Sequence, residues 1–418
     1  MGNTGSIHLR ALAIGVLLSS VCLGCGGEVS DLNVPGAYGS YVADVNEAGH
    51  AAGHWLMENG ERRGFILRNG GFIHILQEGV SYIEVTAIND SGRVVGAAAF
   101  GGSGGQSAFV YDEQNGIRDL GTLGGLRSRA LDINGSGQVV GWSEIAITDN
   151  KDCCCIPFTL YCGVLHAFLW DDGEMIDLGT FGGQNSRASK INDFGHVIGY
   201  AELAGESEIA HAFLYKDEQM IDLGTLGGAT SWPSDINNAG QVVGWSDIVG
   251  ADGVSHAFLY TDGEMLDLGT LGGDASWARD ISDLGQVVGS AELMDGRVQG
   301  FLWEAGVMTG LGTIGSLDSK ASHINNAGQI LGSFAVEDEG PFTQTHRLFL
   351  WEQGVMFDLM AQFPSATGSG LGWAVLGLND TGDILYTTDD SLILFGIPLT
   401  DPHIGKPHSY LLHLPPLE

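Results

Sequence analysis

Short alternating runs of apolar and polar residues, separated by glycine and aspartate, recur along most of the chain. In the region 232–268 they predict four strands, at Trp232–Asn237, Gln241–Trp245, His256–Tyr260 and Glu264–Leu268. β-Branched and aromatic residues bounded by Gly and Asp are typical of strands joined by tight turns. Beyond the N-terminal leader, no segment has a sustained helical period. The pattern therefore predicts an all-β protein.

One turn motif, Ile-Asn-x-x-Gly, repeats along the chain and identifies a structural repeat. An Asn side chain folds back onto the backbone, and Gly adopts positive φ at no steric cost, so the motif predicts a hairpin turn. We call its second residue the marker position, and most copies are 43 or 45 residues apart. The eight marker residues are Asn46, Asn89, Asn134, Asn192, Asn237, Ser282, Asn325 and Asn379.

Four strands in each repeat of this length are typical of a β-propeller blade. The eighth repeat lacks a fourth strand, but residues 29–36 near the N-terminus align with the fourth strand at 220–227. We therefore predict an eight-bladed β-propeller of four-stranded antiparallel blades, closed by the N-terminal strand, which removes two sheet edges. The alternative is seven blades, with the divergent last repeat as a degenerate unit.

Three recurring motifs resemble the HAF repeat, a family of probable extracellular bacterial repeats. They are His-Ala-Phe, beginning at His166, His211 and His256, the Asp-Ile-Asn-x-x-Gly-x-Val-Val-Gly stretches, and Asp-Leu-Gly-Thr-Leu-Gly-Gly. The resemblance covers most of residues 40–360 and departs at Gly300-Phe301, Leu348-Phe349 and the last repeat. It implies an extracellular repeat architecture, and it implies no established activity or catalytic residue.

The N-terminal residues are typical of an export signal. A single charge at Arg10 precedes an apolar stretch from Ala11 to Val21 that is too short to span a membrane. Cys25 follows Gly24 as in the lipobox of bacterial lipoproteins, so we predict lipidation at Cys25, with plain secretion as the alternative. The expected organisation is a signal peptide at 1–24, a tether at 25–28 and one propeller domain at 29–418. The predicted location is the outer membrane or cell surface, or the medium if the chain is secreted.

Four cysteines remain after the leader, and they are clustered. An even number in an exported protein favours disulfides, whereas three consecutive cysteines do not have the CxxC spacing of a zinc site. The sequence leaves their connectivity open. The predicted disulfide cysteines are Cys153, Cys154, Cys155 and Cys162.

Charge excludes several partners. The chain has 51 acidic and 17 basic residues, a formal net charge of −34. Phosphate binding needs a surplus of Lys and Arg, so nucleic acid and anionic membrane surfaces are not expected as partners. Such charge also keeps a repeat protein soluble and monomeric. No ordered calcium loop or metal-ligand spacing occurs in the sequence, and we expect no metal or cofactor.

One ring of residues is unusually rich in aromatics and cations. It lies five residues before the marker, at the predicted start of the innermost strand, and is expected to surround the mouth of the central channel. Trp and Arg at a concave mouth favour sugar or carboxylate recognition. The alternative is ordinary blade packing or surface exposure. The ring comprises Tyr41, Glu84, Arg129, Arg187, Trp232, Trp277 and Lys320.

Other repeated residues are expected to be scaffold. A Phe recurs once in most repeats and should pack between blades. His166, His211 and His256 occupy equivalent, well-separated places, so they cannot share one metal. Asp132, Asp235 and Asp280 share one inner-strand position, and this recurrence argues against a unique catalytic pair. The expected Phe positions are Phe65, Phe109, Phe168, Phe213, Phe258, Phe301 and Phe349.

These observations predict a non-catalytic binding module at the cell envelope, with a polysaccharide or a surface protein as ligand. The alternative is a polysaccharide-active enzyme, a lyase or glycosidase with its site at the channel mouth. Two carboxylates on adjacent inner strands, roughly 5 to 10 Å apart, would favour the glycosidase.

Overall fold

The computed structural model describes residues 28–32, 34–101, 105–146, 163–205, 209–250, 253–315, 318–337, 344–362, 372–389 and 408–413. Within these ranges the secondary structure is almost entirely β, as the sequence pattern predicted, and the helix α1 (Leu359–Gln362) is one short turn. None of the helices in these ranges is long and apolar enough to cross a bilayer. The predicted signal peptide, Cys25 and the four clustered cysteines lie outside the described residues.

Most of the strands group into successive sets of four, which we call units. The strands before and within the first four units are β1 (Glu28–Asp31); β2 (Ala37–Val45), β3 (Ala51–Met57), β4 (Arg62–Arg68) and β5 (Gly71–Ile75) in unit 1; β6 (Val80–Ile88), β7 (Val94–Phe100), β8 (Ser107–Asp112) and β9 (Gly116–Gly121) in unit 2; β10 (Gly124–Ile133), β11 (Val139–Ile145), β12 (Leu165–Asp171) and β13 (Glu174–Gly179) in unit 3; and β14 (Gly182–Ile191), β15 (Val197–Leu203), β16 (Ala210–Lys216) and β17 (Gln219–Asp222) in unit 4.

The second half of the described chain continues the same order. Its strands are β18 (Gly227–Ile236), β19 (Val242–Ile248), β20 (Ser255–Thr261) and β21 (Glu264–Asp267) in unit 5; β22 (Gly272–Ile281), β23 (Val287–Leu293), β24 (Val298–Glu304) and β25 (Val307–Gly310) in unit 6; β26 (Ser319–Ile324), β27 (Ile330–Glu337), β28 (Gln344–Glu352) and β29 (Val355–Asp358) in unit 7; and β30 (Gly372–Leu378), β31 (Ile384–Asp389) and β32 (His408–His413) in unit 8.

Each unit is an antiparallel meander in which consecutive strands pair. In unit 8 the fourth place is taken by β1, which pairs antiparallel with β32 from Glu28 opposite His413 to Asp31 opposite Tyr410. A single parallel pair, Arg62 with Tyr82, joins units 1 and 2 into one eight-stranded sheet.

The hydrophobic core lies between neighbouring units. Val243 and Leu259 of unit 5, for example, pack with Val287 and Phe301 of unit 6. Burial of each Phe ring stabilises the stack by about 1.5 to 3 kcal/mol. The seven Phe residues expected in the core are all 0% exposed, which confirms that prediction: Phe65, Phe109, Phe168, Phe213, Phe258, Phe301 and Phe349.

The marker turns form the tightest repeated feature. The Asn237 side-chain oxygen accepts the Gln241 amide at 3.0 Å, and Gly240 closes the turn by donating to the Asn237 carbonyl. Gly240 has φ +78°, a conformation that only Gly adopts without strain. The Asn237 side-chain amide then donates to the Ser282 carbonyl of the next unit at 3.0 Å. The motif therefore fixes both the turn and the junction between units.

This junction recurs around the molecule. Marker amides donate to the next marker carbonyl in seven places, and the bond from Asn379 of unit 8 reaches the Asn46 carbonyl of unit 1 at 2.9 Å. The remaining marker, in unit 6, is Ser282, which has no side-chain amide to donate. The other donors are Asn46, Asn89, Asn134, Asn192, Asn237 and Asn325.

The innermost strands are longer than the sequence predicted. In unit 5 the predicted start was Trp232, but β18 begins at Gly227, and Gly227 pairs with Ile248. The pair Gly227-Gly228 precedes the predicted strand, and two successive glycines are typical of a turn. Pairing with the extended end of β19 holds these glycines in the sheet, because tertiary pairing overrides a weak local turn preference.

Candidate functional site

The predicted ring residues lie within the innermost strand of their units. Trp232 is in the middle of β18, and the same holds for Arg129 in β10 and Arg187 in β14, so placing them at the strand start was wrong. Lys320, the second residue of β26, does lie near a strand start.

A bulge determines which way these side chains face. The register of β18 and β19 shifts between Pro233 and Asp235, so that Trp232 opposes Trp245 and Asp235 opposes Val243. Opposed residues share a sheet face, and Val243 and Trp245 are two residues apart, so Trp232 and Asp235 lie on one face. A Cβ on Gly244 would collide with the Trp232 carbonyl oxygen, which explains the glycine beside each such pair.

The first part of the ring is a charged cluster. Glu84 of unit 2 accepts from Arg129 of unit 3 at 2.6 Å and pairs with Arg62 of unit 1 at 3.1 Å. The Tyr82 hydroxyl also donates to Glu84, and the Arg62 guanidinium lies 4.9 Å from the centre of the Tyr82 ring. One carboxylate thus connects three units.

Electrostatics keeps this cluster in a defined protonation state. Burial opposes ionisation of Glu84, but hydrogen bonds from Tyr82 and Arg129 and the charges of both arginines outweigh it and hold its pKa below the usual value. Burial, with the hydrogen bond to Glu84, raises the pKa of Tyr82. Burial and the nearby Arg62 lower the pKa of His54 to about 4. At neutral pH the cluster therefore has charged Glu84, protonated Tyr82 and neutral His54.

Two polar atoms of this cluster are buried without a partner. Among the described residues, no group accepts from Arg129 Nε, and none bonds to His54 Nδ1. His54 is only 7% exposed, and its ring stacks on Tyr41 with centroids 5.3 Å apart. Such atoms are uncommon in folded proteins, because a buried unsatisfied group costs about 1 to 3 kcal/mol.

The second part of the ring is aromatic. The Arg187 guanidinium lies 5.5 Å from the centre of the Trp142 ring of the preceding unit. Tyr200 of unit 4 packs on Trp232 of unit 5 with centroids 4.5 Å apart, and Trp232 stacks with Trp245 at 5.9 Å. These rings are half-buried, so they remain accessible to a ligand.

The two parts are continuous. Arg129 is directly opposite Trp142 across β10 and β11, and Arg187 is opposite Tyr200 across β14 and β15. We call this surface the rim arc, and it spans units 1 to 5. Its members are Arg62, Tyr82, Glu84, Arg129, Trp142, Arg187, Tyr200, Trp232 and Trp245.

The other predicted ring residues lie at the same strand level outside this contact chain. Tyr41 is 39% exposed over His54. Trp277 and Lys320 are opposite serines, Ser290 and Ser333, and in the described part of the chain neither makes a ring or cation–π contact. The structure thus brings Arg129, Arg187 and Trp232 together and leaves Trp277 and Lys320 apart from them.

Sequence reasoning missed five of the nine rim-arc residues. Trp142, Tyr200 and Trp245 all stand eight residues after their marker, at the position that pairs with the ring. His54 has the same offset in unit 1. Pairing the first two strands of each repeat would have identified these residues.

A second ring of charged side chains lies two residues before the marker. Each Asp reaches toward the following unit, as Asp280 does by accepting the Ile324 amide at 2.8 Å. Asp132 accepts the Ile191 amide at 2.9 Å, and Asp235 accepts the Ile281 amide at 3.2 Å, so these carboxylates have the structural role that was expected. The same offset also holds charged or titratable side chains that sequence reasoning overlooked: Asp44, Lys190 and His323.

The side chains of this second ring, which we call the inner ring, interact strongly through their charges. The charge of Asp132 raises the pKa of Lys190, although burial opposes this. Burial raises the pKa of Asp44 to about 6. Burial and the Asp280 carboxyl raise the pKa of Asp235 well above its usual value, and the two carboxyls are in hydrogen-bonding contact.

No group of three or more His, Cys, Asp or Glu in the described part of the chain is arranged to hold a metal ion. The inner ring is better understood as a structural network of carboxylates with one lysine charge.

Two cavities lie away from the rim arc. One, of about 420 Å³, is lined by marker-turn residues of all eight units. The other, of about 800 Å³, is a cleft between units 2 and 3 with Arg93, Arg118 and Trp170 in its lining. The Arg118 guanidinium lies 5.0 Å from the centre of the Trp170 ring. This cleft is a second place where a cation and an aromatic ring meet.

The repeated histidines have partners within their own sheets. His166 Nδ1 lies 2.9 Å from the Asp177 carboxylate, and Asp177 also accepts the Gly179 amide. His211 and His256 make the equivalent contacts with Asp222 and Asp267. These pairs connect the third strand to the end of the fourth, so the scaffold interpretation of the histidines holds.

Comparisons with known proteins give the fold and little more. A family model described as a protein of unknown function (DUF3466) matches residues 179–271. No curated protein matches the chain.

Many solved structures resemble it at low identity. A prolyl endopeptidase is 10% identical with a TM-score of 0.50, covering 87% of this chain and 54% of its own. A puromycin-hydrolysing peptidase from Mycobacterium tuberculosis is 12% identical with a TM-score of 0.46, covering 86% of this chain and 60% of its own. The β-propeller domain of the trilobed protease from Pyrococcus furiosus is 11% identical with a TM-score of 0.42, covering 83% of this chain and 91% of its own.

The chain therefore spans little more than half the length of the prolyl endopeptidase and 60% of the puromycin-hydrolysing peptidase. At these identities a likeness concerns the fold alone, and the peptidase activities belong to those proteins. With its repeated four-stranded antiparallel sheets, this chain is a β-propeller-like repeat protein, and its residues 179–271 are similar to a family model of unknown function.

Proposed function

We propose that the protein is a non-catalytic binding module that takes carbohydrate on the rim arc. The observation that carries this is the contact of Tyr200, Trp232 and Trp245 beside the Arg187–Trp142 pair. The apolar faces of sugar rings pack on aromatic side chains, and guanidinium groups donate forked hydrogen bonds to sugar oxygens. Half-buried rings in a fixed arrangement offer such a platform at little cost in side-chain entropy.

The scaffold of this module is proposed to be one eight-bladed propeller of the HAF-repeat type, closed by the N-terminal strand. Three features support it: the pairing of β1 with β32, the Asn379 bond to Asn46, and the cavity lined by all eight units. A closed propeller leaves only short, protected strand edges for association, so the module is expected to be monomeric.

Export is part of the same proposal. The leader and Cys25 favour a lipid-anchored protein at the outer membrane or cell surface, and the clustered cysteines favour disulfides in that oxidising location. Metabolic labelling with a fatty-acid analogue tests the anchor. Labelled wild-type protein together with an unlabelled Cys25→Ser variant supports lipidation, and an unlabelled wild type overturns it.

The binding test is a polysaccharide and glycan panel with the full chain. A variant with Arg129, Arg187, Trp232 and Trp277 changed to Ala is tested on the same panel, and its folding is checked by circular dichroism. The proposal expects binding by the wild type that the folded variant loses. A variant with Arg118 and Trp170 changed to Ala is the matched control, because it removes the same chemistry from the cleft between units 2 and 3.

Each outcome is decisive. Binding that only the cleft variant loses would move the site to that cleft. No binding by the wild type would overturn the carbohydrate proposal, and a surface protein would become the ligand to seek.

A second candidate function is a polysaccharide-active enzyme. It is favoured by the charged cluster, where Tyr82 donates to Glu84 between two arginines and a neutral His54 lies nearby. Proton transfer by such groups is the chemistry of lyases and glycosidases. Incubating the bound polymer with the full chain and measuring new reducing ends or unsaturated sugars distinguishes the two. Product formation that Tyr82→Phe abolishes would replace the binding module with an enzyme.

A further inference from the structure

We infer that the saccharide recognised by the rim arc is acidic, and that its carboxylate is held where Arg62 and Arg129 converge. This inference rests on the proposed carbohydrate function and adds the chemical class of the ligand. It is carried by the geometry of one cluster, which contains Arg62, Arg129, Glu84, Tyr82 and His54.

Two guanidinium groups of different units converge on one carboxylate. Glu84 bonds Arg62 through Nη1 at 3.1 Å and Arg129 through Nη2 at 2.6 Å. Each guanidinium has five N–H donors, so a single carboxylate leaves most of them available. Both arginine side chains are about a third exposed, at 33% and 32%, while that of Glu84 is 16% exposed. The cations are therefore more open to a ligand than the carboxylate that they hold.

One donor of the cluster has no acceptor among the described residues. Arg129 Nε is buried and donates to no described residue. An oxygen atom supplied by a ligand would satisfy this donor, and a carboxylate would do so with a charge-assisted bond. A neutral hydroxyl would gain less, because it brings no opposite charge to the two arginines.

His54 supports the same location. It is 7% exposed, and no described residue bonds to its Nδ1. Arg62 and Arg129 both oppose protonation of this ring, which places it within electrostatic range of the cluster. A neutral imidazole leaves the site free of an additional charge and ready to bond a sugar hydroxyl.

Local charge favours an anion despite the acidity of the chain. The rim arc contains three arginines, Arg62, Arg129 and Arg187, and one carboxylate, Glu84, which is paired with the first two. The surplus of negative charge elsewhere acts at longer range, and salt screens it beyond about 8 Å at 0.15 M ionic strength. The aromatic half of the arc then receives the neighbouring sugar rings of a chain.

Space for the ligand adjoins the cluster. A groove of about 470 Å³ includes Arg62 in its lining, with Leu76 and Val80 on its apolar side. An extended saccharide can therefore continue outward between units 1 and 2 from a carboxylate bound at the arginines.

The test uses matched ligand pairs with the full chain at an ionic strength of about 0.15 M. Oligomers of alginate, polygalacturonate and hyaluronan are each compared with the carboxyl-reduced oligomer, which keeps the stereochemistry and removes the charge. The inference expects at least one acidic oligomer to bind about tenfold more tightly than its reduced partner, since charge-assisted hydrogen bonds are roughly twice as strong as neutral ones.

Two variants test the site itself. Arg129→Gln removes one guanidinium and should weaken binding of the acidic oligomer about tenfold, with little effect on the reduced one. Glu84→Gln removes the competing carboxylate and should strengthen binding of the acidic oligomer several-fold. A residue with a purely structural role would not increase affinity on substitution. The control is Arg118→Gln, because Arg118 is an exposed arginine in the cleft between units 2 and 3. This variant should change the affinity for neither the acidic nor the reduced oligomer.

The outcomes separate this inference from the function on which it rests. Binding of reduced or neutral oligomers as tightly as acidic ones overturns the acidic ligand and keeps the carbohydrate function. No saccharide binding at all overturns both. The acidic oligomer could bind more tightly than the reduced one with an affinity that neither Arg129→Gln nor Glu84→Gln changes. That result would place the ligand carboxylate elsewhere and overturn the assigned site.

Discussion

The marker turns and the rim arc belong to the same innermost strands, yet the two regions are built in opposite ways. The marker position is Asn in seven repeats and Ser in one, its side chains are buried, and seven of them bond to the next unit. The rim position changes from Tyr to Glu, Arg, Trp and Lys around the molecule, and its side chains are half-buried or exposed.

The difference in residue variation between the two positions indicates that the marker position serves the structure and the rim position serves recognition. A position that must make the same bond at every junction accepts only residues that can make it. At a position without such a bond, the residue can differ from unit to unit. Residues at equivalent positions of several units can then form one asymmetric surface. Arg129 belongs to that surface, and its buried Nε has no partner among the described residues, while Asn237 has both its oxygen and its amide bonded.

Removal of a buried Phe side chain should destabilise the scaffold most. Phe258→Ala deletes a side chain that is 0% exposed and should lower the free energy of unfolding by about 3 to 5 kcal/mol, because a cavity adds to the lost burial. Urea denaturation measures this, with Phe258→Leu as the less severe control. A change below about 1 kcal/mol would contradict the core assignment.

The marker junction is the next most sensitive feature. Asn237→Ala leaves the Gln241 amide and the Ser282 carbonyl without their partner and should cost about 2 kcal/mol. Asn237→Ser copies the residue that stands at position 282 and should cost less than Ala, because its hydroxyl can still accept. Equal losses for both variants, measured by thermal unfolding, would show that the side-chain oxygen contributes little.

The inner ring predicts a dependence on pH. Burial raises the pKa of Asp44 to about 6, so the folded state favours the protonated carboxyl. The stability that this group contributes is then complete below its unfolded pKa near 4 and is lost as the pH rises through 6. The stability of Asp44→Asn should therefore increase relative to that of the wild type between pH 4 and pH 7, by on the order of 1 kcal/mol. A constant difference across that range would contradict it.

The rim arc should contribute least to stability. Arg187→Gln removes one partly exposed contact with Trp142 and should cost under about 1 kcal/mol. The same change should weaken saccharide binding by about tenfold, which corresponds to 1.4 kcal/mol. Loss of the fold with Arg187→Gln would show that this residue holds the units together and would remove the contrast with the marker turns.

The sequence predicted the scaffold better than the site for a physical reason. Marker turns, the seven core Phe residues and the scaffold histidines all depend on local chemistry that recurs, and repetition made each visible several times. The rim arc depends on pairing across strands and between units. Arg129 and Trp232 were found because they share an offset, whereas Arg62 and Tyr82 lie at no repeated rim position. The extension of β18 to Gly227 was missed because local preference suggested a turn.

The most direct test of the account compares Trp232→Ala with Asn237→Ala, two changes five residues apart in one unit. Saccharide affinity by titration calorimetry and thermal unfolding are measured for both full-length variants. We predict that Trp232→Ala loses at least about tenfold in affinity with a small loss of stability, while Asn237→Ala is clearly destabilised and binds normally below its unfolding temperature. The reverse pattern, with affinity lost at Asn237 and kept at Trp232, would contradict the claim that the varied positions bind and the repeated positions hold the fold.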